Sequence, residues 1–373
     1  VKLKILQILP ALDAGGVERG TLEIASFLVR EGHDAWVVSN GGRMVAALEH
    51  AGVRHVAMPV HRKHPATLLQ VRPLRRLLER ERPDVLHIRS RVPGWVAWLA
   101  WRGMDPRTRP RLVSTVHGFY SVNRYSAVMT SGERVIAVSK SIRRFIVEHF
   151  PKTDPSRIRV IPRGIDPERY PAGFQPDANW LDQWHRDHPE LDGKASLLLP
   201  GRITRLKGHE DFIRLIAALR VRGHPAHGLI VGDVHPKKRS YLAELQAFVQ
   251  RLGMEHHVTF LGHRADVREI MAVSNIVCAL SQQPESFGRA VLEALAIGRP
   301  VIGYDCGGVG ELLAALFPAG RVPPGDAAAC LDVADRVLRG SCAAPMLVGA
   351  PFLLDSMCRA TLDVYRELMI SDE

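Results

Sequence analysis

The feature that most constrains this chain is an alternation of strand-like and helix-like patterns that runs through its first half, lapses, and starts again. Short apolar runs at Lys4–Leu9, Ala35–Ser39, Asp84–Ile88, Leu112–Val116 and Arg134–Val138 read as strands. Between them, segments such as Val17–Val29 and Met44–Ala51 repeat apolar residues at helical spacing, and Ser139 or Ser141 is placed to cap a further helix. Strand followed by helix, repeatedly, predicts a parallel sheet covered on both faces. From Arg163 to Lys194 the pattern gives way to Pro, Asp, Trp and His without a sustained period, which reads as a linker with a short irregular insertion. It then resumes with strands at Ser196–Leu199, His227–Val231, Val258–Leu261, Val277–Leu280 and Pro300–Gly303, and with helices at Gly208–Arg220 and Arg239–Arg251.

The expected fold class is therefore α/β: two doubly wound, Rossmann-like domains in series, facing across a cleft at the ends of their sheets. A length of 373 residues with 46% hydrophobic side chains is enough for two cores. The expected boundaries are 1–168 for the first domain, 169–194 for the linker or insertion and 195–355 for the second. An amphipathic helix within 356–373 is expected to cross back to the first domain. No run of about 18 apolar residues and no basic-then-apolar leader pattern is visible, so a soluble cytoplasmic chain is expected. The five cysteines, at 278, 306, 330, 342 and 358, form no Cys-x-x-Cys pair and read as reduced thiols.

Four places have the chemistry of a site. Gly15-Gly16 lies between the first strand and the first helix, where glycine lets a ligand approach unpaired helix N–H groups; a plain tight turn is the alternative. Pro200-Gly201-Arg202-Ile203-Thr204-Arg205-Leu206-Lys207-Gly208 follows the first strand of the second domain. It brings a guanidinium fork and a compact ammonium to the edge where a diphosphate would bind, unless it is only a solvated basic loop. Glu285 and Glu293 stand eight positions apart around Phe287-Gly288. With a helix beginning near Phe287, Glu293 falls inside it and Glu285 stays in the preceding loop, which gives the two carboxylates separate tasks, ribose hydroxyls for one and the reacting sugar for the other. For Glu285 the plainer alternative is an acid favoured by the helix dipole. His117-Gly118 ends a strand of the first domain, where a histidine is either structural or part of a site. No Asp-x-Asp and no His-Glu-x-x-His occurs, so no divalent metal is expected.

In order along the chain, Gly15-Gly16-Val17-Glu18, Thr115-Val116-His117-Gly118, Val138-Ser139-Lys140-Ser141, the Gly201-Arg202 to Lys207-Gly208 loop and the Glu-x7-Glu segment resemble the retaining glycosyltransferases of family 4, which have the GT-B fold. The resemblance spans roughly residues 4–315 and the closing helix. It implies transfer of a hexose from a nucleoside diphosphate sugar, UDP by default, to an acceptor hydroxyl, with no cofactor and no metal. It assigns Gly15, Gly16, Gly201, Arg202, Lys207, Arg264, Phe287, Gly288, Leu292 and Glu293 to the donor. Catalysis falls to His117, Arg202, Lys207 and Glu285, with His117 on the donor hexose, Glu293 on the ribose and the two cations on the diphosphate. Ser90-Arg91-Val92-Pro93-Gly94-Trp95 resembles members that build bacterial lipopolysaccharide or other surface glycans, which implies a glycolipid or lipopolysaccharide-core acceptor. Two departures stand out. Arg163 replaces the family's usual Asn in Pro162-Arg163-Gly164-Ile165-Asp166, and Gly310 replaces its usual Pro in Gly307-Gly308-Val309-Gly310-Glu311, which predicts a looser loop there.

The chain's net charge of +11 is unevenly spread. Residues 1–168 carry 28 basic and 15 acidic side chains, whereas residues 169–373 carry 22 and 24. The basic half is the one that would carry the acceptor. Arg72, Arg75, Arg76, Arg80, Arg82, Arg89, Arg91 and Arg102, around Trp95, Trp98 and Trp101, are expected to face anionic lipid and to place the protein on the cytoplasmic face of the inner membrane. The alternative is a helix with a tryptophan core face and a solvated arginine face. Other functions remain open at this point. A GT-B nucleotide-sugar epimerase would use the same nucleotide cleft without an acceptor. A basic nucleic-acid binder suits the charge but lacks any recognisable nucleic-acid motif, so nucleic acid is not expected as a partner.

Overall fold

Each of the two sheets reverses its strand order once. In the first unit, β1 (Lys4–Ile8), β2 (Asp34–Ser39), β3 (Arg54–Ala57), β4 (Val85–Ile88), β5 (Arg111–Val116), β6 (Arg134–Ala137) and β7 (Ile158–Val160) form an all-parallel sheet in the order β3-β2-β1-β4-β5-β6-β7. In the second unit, β8 (Ala195–Pro200), β9 (Ala226–Val231), β10 (Val258–Gly262), β11 (Ile276–Ala279), β12 (Val301–Tyr304) and β13 (Arg321–Val322) form a parallel sheet ordered β10-β9-β8-β11-β12-β13. The reversals fall between β1 and β4 and between β8 and β11, and in open α/β sheets the connections that leave those strand ends diverge and open a crevice. The structure is a computed structural model that describes residues 1–13, 15–234, 239–342, 345–349 and 351–370. Ala14 of the first glycine loop and the last three residues of the expected terminal helix lie outside the described residues.

The helices, in chain order, are α1 (Gly16–Arg30), α2 (Val45–His50), α3 (Val71–Glu81), α4 (Arg91–Arg102), α5 (Lys140–His149), α6 (Ala178–Asp187), α7 (His209–Val221), α8 (Arg239–Arg251), α9 (Val267–Val273), α10 (Arg289–Ala296), α11 (Gly307–Leu316), α12 (Ala327–Leu338) and α13 (Leu354–Ile370). The compact units are residues 1–164 with 351–373, and residues 165–350. Among the described residues, no helix is long and apolar enough to cross a membrane. The central strands are buried on both faces, with Ile5, Leu6 and Ile8 of β1 and Leu197, Leu198 and Leu199 of β8 all nearly inaccessible.

Three strands escape the sequence pattern, β3, β7 and the two-residue β13, and all three are sheet edges. β3 reads Arg-His-Val-Ala and β7 has only three residues; both are edge strands paired on one side, so neither needs a continuous apolar run. The stretch 169–194 is not an irregular linker. It contains α6, where Trp180 and Trp184 stack with centroids 5.1 Å apart and the Trp180 indole N–H donates to Asp266 at 2.8 Å, inside the second unit. Two tryptophans four apart bind one helix face to the unit, a signal that composition alone obscured.

The terminal helix α13 belongs to the first unit. Met357, Leu362 and Tyr365 join a core with Ile24, Phe27 and Leu28 of α1, and Arg134 and Arg159 both pair with Glu367. Gly164 marks the crossing, since a Cβ there would sit 2.5 Å from Leu354 Cα. Tyr365 Oη lies 2.7 Å from His87 Nδ1, and Thr115 Oγ1 lies 2.7 Å from His87 Nε2, so a fully buried imidazole has both ring nitrogens paired. Burial, reinforced by the nearby charges of Arg89 and Arg163, holds His87 well below the ordinary histidine pKa.

Burial also pulls His227 of β9 and His209 of α7 down to about 4. The unfolded chain therefore binds more protons than the native one as pH falls below the ordinary histidine value of about 6.5. Stability should be complete above that pH and fall between pH 6.5 and 4, by roughly 1.4 kcal/mol per pH unit for each histidine held neutral. Urea midpoints measured at pH 7.5, 6.0 and 5.0 check this, and His227→Gln should flatten the slope.

Candidate functional site

In the second unit the site is built at the reversal between β8 and β11. After Pro200 the chain turns at Gly201, whose N–H donates to Val231 O at 2.8 Å, and Ile203 N–H donates to Asp233 O at 3.0 Å. Gly232 permits this docking, because a Cβ there would come within 1.9 Å of Gly201 O. A single 3-10 turn, Arg205–Lys207, leads to Gly208, which caps α7 in the left-handed conformation at φ 70°. A Cβ on Gly208 would lie 1.9 Å from Leu280 O, so the loop after β8 rests directly on the loop after β11. Gln282 N–H to Leu206 O, at 3.1 Å, closes the same contact.

The three cations of the first loop have distinct surroundings. Arg205 pairs with Glu244 and lies over the Tyr241 ring at 4.7 Å. Lys207 Nζ donates to Glu285 Oε1 at 2.7 Å, and Ser281 Oγ donates to that same oxygen. The Arg202 side chain is exposed and makes no hydrogen bond or ion pair with any described residue. The diphosphate and sugar roles suggested for Lys207 and Glu285 thus converge on one point, lined by Ser281, Gly288 and Ala290. Glu293 lies within α10, which begins at Arg289 after Gly288 at φ 95°, while Glu285 stays in the loop, as their spacing predicts.

Behind Glu285 stands a glycine pair. Gly308 N–H donates to Glu285 O at 2.7 Å, and a Cβ on Gly308 would meet the Phe287 Cα at 2.4 Å. Gly310, expected in a loosened loop, lies buried in the first turn of α11, where a Cβ would sit 2.3 Å from Asp305 Oδ1; the segment is tight because the helix start packs on that carboxylate. Phe287 and Leu292 are core side chains, 6% and 0% exposed, so a donor role expected of them can fall only to their backbones. The Arg264 guanidinium is held two-pronged by Asp266 at 2.8 and 2.6 Å, which raises its pKa and gives it a protein partner.

In the first unit, candidates gather at the carboxyl edge of the sheet. Gly15 caps α1 at φ 151°, and a Cβ there would meet the Glu18 carboxylate at 2.5 Å; a Cβ on Gly16 would meet nothing within 4 Å. Gly15 therefore serves the fold, and Gly16 leaves open space at the helix start. His117 Nδ1 is contacted by the Arg163 guanidinium, which can only donate, so the ring is neutral with its proton on Nε2. Burial first, then the charges of Arg163 and Arg89, depress the His117 pKa well below the ordinary value. Its Nε2 is buried and has no hydrogen-bond partner among the described residues. Arg163 thus supplies a polar contact of its own to His117, which residue order alone did not reveal.

Arg89 is 1% exposed and does not face a membrane. Its guanidinium and that of Arg163 lie under α1 at Gly20, where a Cβ would meet them at 3.2 and 3.3 Å, and burial brings the Arg89 pKa down to about 10. Arg72 and Arg76 of α3 are exposed, but the Arg75 guanidinium lies against Gly103 at the end of α4, where a Cβ would be 1.7 Å away. Arg91 stacks over Tyr120 and Tyr125 at 4.8 and 5.3 Å, and the Trp95 indole N–H donates to Tyr125 O at 2.8 Å. Trp95, Trp98 and Trp101 pack against the first unit's core. Ser281 joins the candidate site unforeseen, its only sequence signal being a hydroxyl four positions before Glu285, and Arg163, noticed in the sequence only as a departure, joins it through His117.

Two parallel sheets of this topology are the two Rossmann-like halves of the GT-B fold. The family model "Glycosyltransferase Family 4" matches residues 14–169, and "Glycosyl transferases group 1" matches residues 182–345. The chain belongs to glycosyltransferase family 4, whose members are retaining enzymes that use nucleotide sugars. It is 26% identical to the N-acetyl-alpha-D-glucosaminyl L-malate synthase of Bacillus anthracis over 84% of this chain and 81% of that one. A glycosyltransferase from Rickettsia africae has a solved structure that matches at TM-score 0.84 and 26% identity, covering 99% of each chain. Anabaena HepE, solved with UDP and glucose, shares the fold at TM-score 0.77 and 19% identity over 99% of each chain.

Gly208→Ala should be more damaging than an ordinary surface glycine change, because it combines a left-handed φ with a backbone clash at Leu280. A loss of about 2 kcal/mol or more is expected. Gly173→Ala, at φ 72° with open space around it, is the comparison that separates the clash from the φ cost in thermal unfolding.

Proposed function

We propose that this glycosyltransferase moves a hexose from a UDP-sugar to a hydroxyl of a lipopolysaccharide core or other lipid-linked glycan, working on the cytoplasmic face of an anionic membrane. The observation that carries the donor half is the convergence of Lys207, Glu285 and Ser281 at the β8/β11 reversal, on the loop that also carries the exposed Arg202. In this reading the second unit, 165–350, binds the nucleotide sugar. Arg202 and Lys207 hold the diphosphate, Glu293 the ribose, and Glu285 the donor sugar, with the backbones of Phe287, Gly288 and Leu292 and the loop through Arg264 completing the cradle. Gly16 gives room at the start of α1, and the neutral His117 offers its Nε2–H to a hexose hydroxyl.

Retention follows from front-face attack. The bond from the anomeric carbon to the β-phosphate oxygen breaks as the acceptor oxygen bonds to the same face, and the acceptor proton passes to the departing phosphate. The protein's part is positioning and cationic stabilisation of the charge that develops on the diphosphate. The acceptor half rests on the charge of residues 1–168 and on Arg72 and Arg76, both exposed on α3.

A thermal-shift panel of UDP, GDP, ADP and their sugars tests the donor, since a ligand that binds only the native state raises the melting temperature. UDP should give the largest shift and Glu293→Ala should abolish it; no shift with any nucleotide would end this reading. Lys207→Ala removes a charge-assisted contact of about 1.5–3 kcal/mol and should lower turnover more than tenfold. Arg72→Glu with Arg76→Glu should weaken binding to phosphatidylglycerol vesicles about tenfold or more at low salt with UDP binding unchanged. Unaltered vesicle binding would move the membrane face elsewhere.

A further inference from the structure

The first unit contains a cavity of about 490 Å³ that the donor chemistry does not use, within the size range of small-molecule sites. One wall is a stripe of α4: Val92, Trp95, Val96 and Leu99, at the i, i+3, i+4, i+7 spacing of a helix's apolar face. Leu68, on the 3-10 turn Pro65–Gln70 that follows β3, also lines the cavity. The wall has little to offer a sugar. The Trp95 indole N–H is already given to Tyr125 O, and Thr67 Oγ1 donates to Arg62 O at 2.7 Å.

The cavity's charged lining is of one sign: Arg62, Lys63 and Arg124, with no carboxylate. Lys63 Nζ lies over the Tyr125 ring at 5.0 Å, which holds an ammonium at the edge of the apolar space. Next to it, Leu68 and Leu69 are 48% and 73% exposed, two leucines beside cations on one turn, a combination suited to a lipid surface. A hydrocarbon chain fits the wall, and a phosphate complements the rim.

We propose that this cavity takes one hydrocarbon chain of a phosphate-bearing lipid, with the phosphate held by Lys63 and Arg124. The proposal deepens the lipid-linked acceptor reading and rests on it: it names the part of the acceptor that the first unit grips, and Trp95 becomes a wall of the lipid site as well as a core residue.

Calorimetric titration of the full chain with dodecyl phosphate, below its micelle concentration, tests this. Dodecyl phosphate should bind one to one, with dodecyl maltoside and inorganic phosphate each at least tenfold weaker. Each methylene removed down to octyl phosphate should weaken binding by about fourfold. Leu99→Trp, which fills the cavity, and Lys63→Glu with Arg124→Glu, which reverses its rim, should each cost tenfold or more while the UDP thermal shift persists and shows the variants folded. Equal binding of dodecyl phosphate and dodecyl maltoside, or undiminished binding by Leu99→Trp, would overturn the proposal with the donor reading intact. A parent chain that takes dodecyl phosphate in this pattern yet shows no UDP shift would leave the lipid site standing and sink the donor assignment instead.

Discussion

A parallel strand buried on both faces has no solvent side on which to carry chemistry. In both sheets of this chain the polar groups kept inside the strands, such as His87 and Thr115, are paired with each other, the groups free for chemistry lie at the strand ends, and the reversal of strand order decides which ends have room between them. The pairing of Lys207 with Glu285 follows from this constraint. They are 78 positions apart in sequence, but one follows β8 and the other follows β11, neighbours at the reversal, and glycines at 208, 232, 307 and 308 bring the intervening backbones into contact. Without those close approaches the lysine, the serine and the glutamate would not share one oxygen.

The first unit uses the same edge differently. Two guanidiniums, Arg89 and Arg163, are buried under α1 at Gly20, and their charges together with burial keep His87 and His117 neutral. A neutral imidazole has one donor and one acceptor nitrogen. In His117 the acceptor is taken by Arg163, which leaves the buried Nε2–H as the ring's one donor, unused among the described residues. Burial and the same two guanidiniums thus also set the protonation of His117 at the strand end.

The arginines of the first half show how far a charge count can be read. Their excess is plain in the sequence, yet the structure divides them by environment: Arg89 under a helix, Arg75 against the end of α4, Arg91 stacked on two tyrosines, Arg72 and Arg76 in solvent. A side chain long enough to reach in several directions is placed by what surrounds it, and that information is not local. The same holds for Trp95, whose helical spacing marks a buried face without saying that a cavity lies over part of it.

The sequence by itself determined the alternation, and with it the two parallel sheets, because burial on both faces demands apolar runs that any reading of the residues exposes. It also marked the strand-end loops with glycine and charge, and it put Glu293 in a helix and Glu285 before it, since these are properties of neighbours along the chain. Edge strands β3, β7 and β13 and helix α6 were not legible, because one-sided pairing and a tryptophan stack leave no continuous pattern. Only the tertiary structure decided that Ser281 and Lys207 meet on Glu285, that Arg163 fixes the His117 tautomer, and that an apolar space with a cationic rim faces α4. Each joins residues far apart in sequence, and which of them meet is set by strand order and by where backbones can approach closely, neither of which is carried by any single segment.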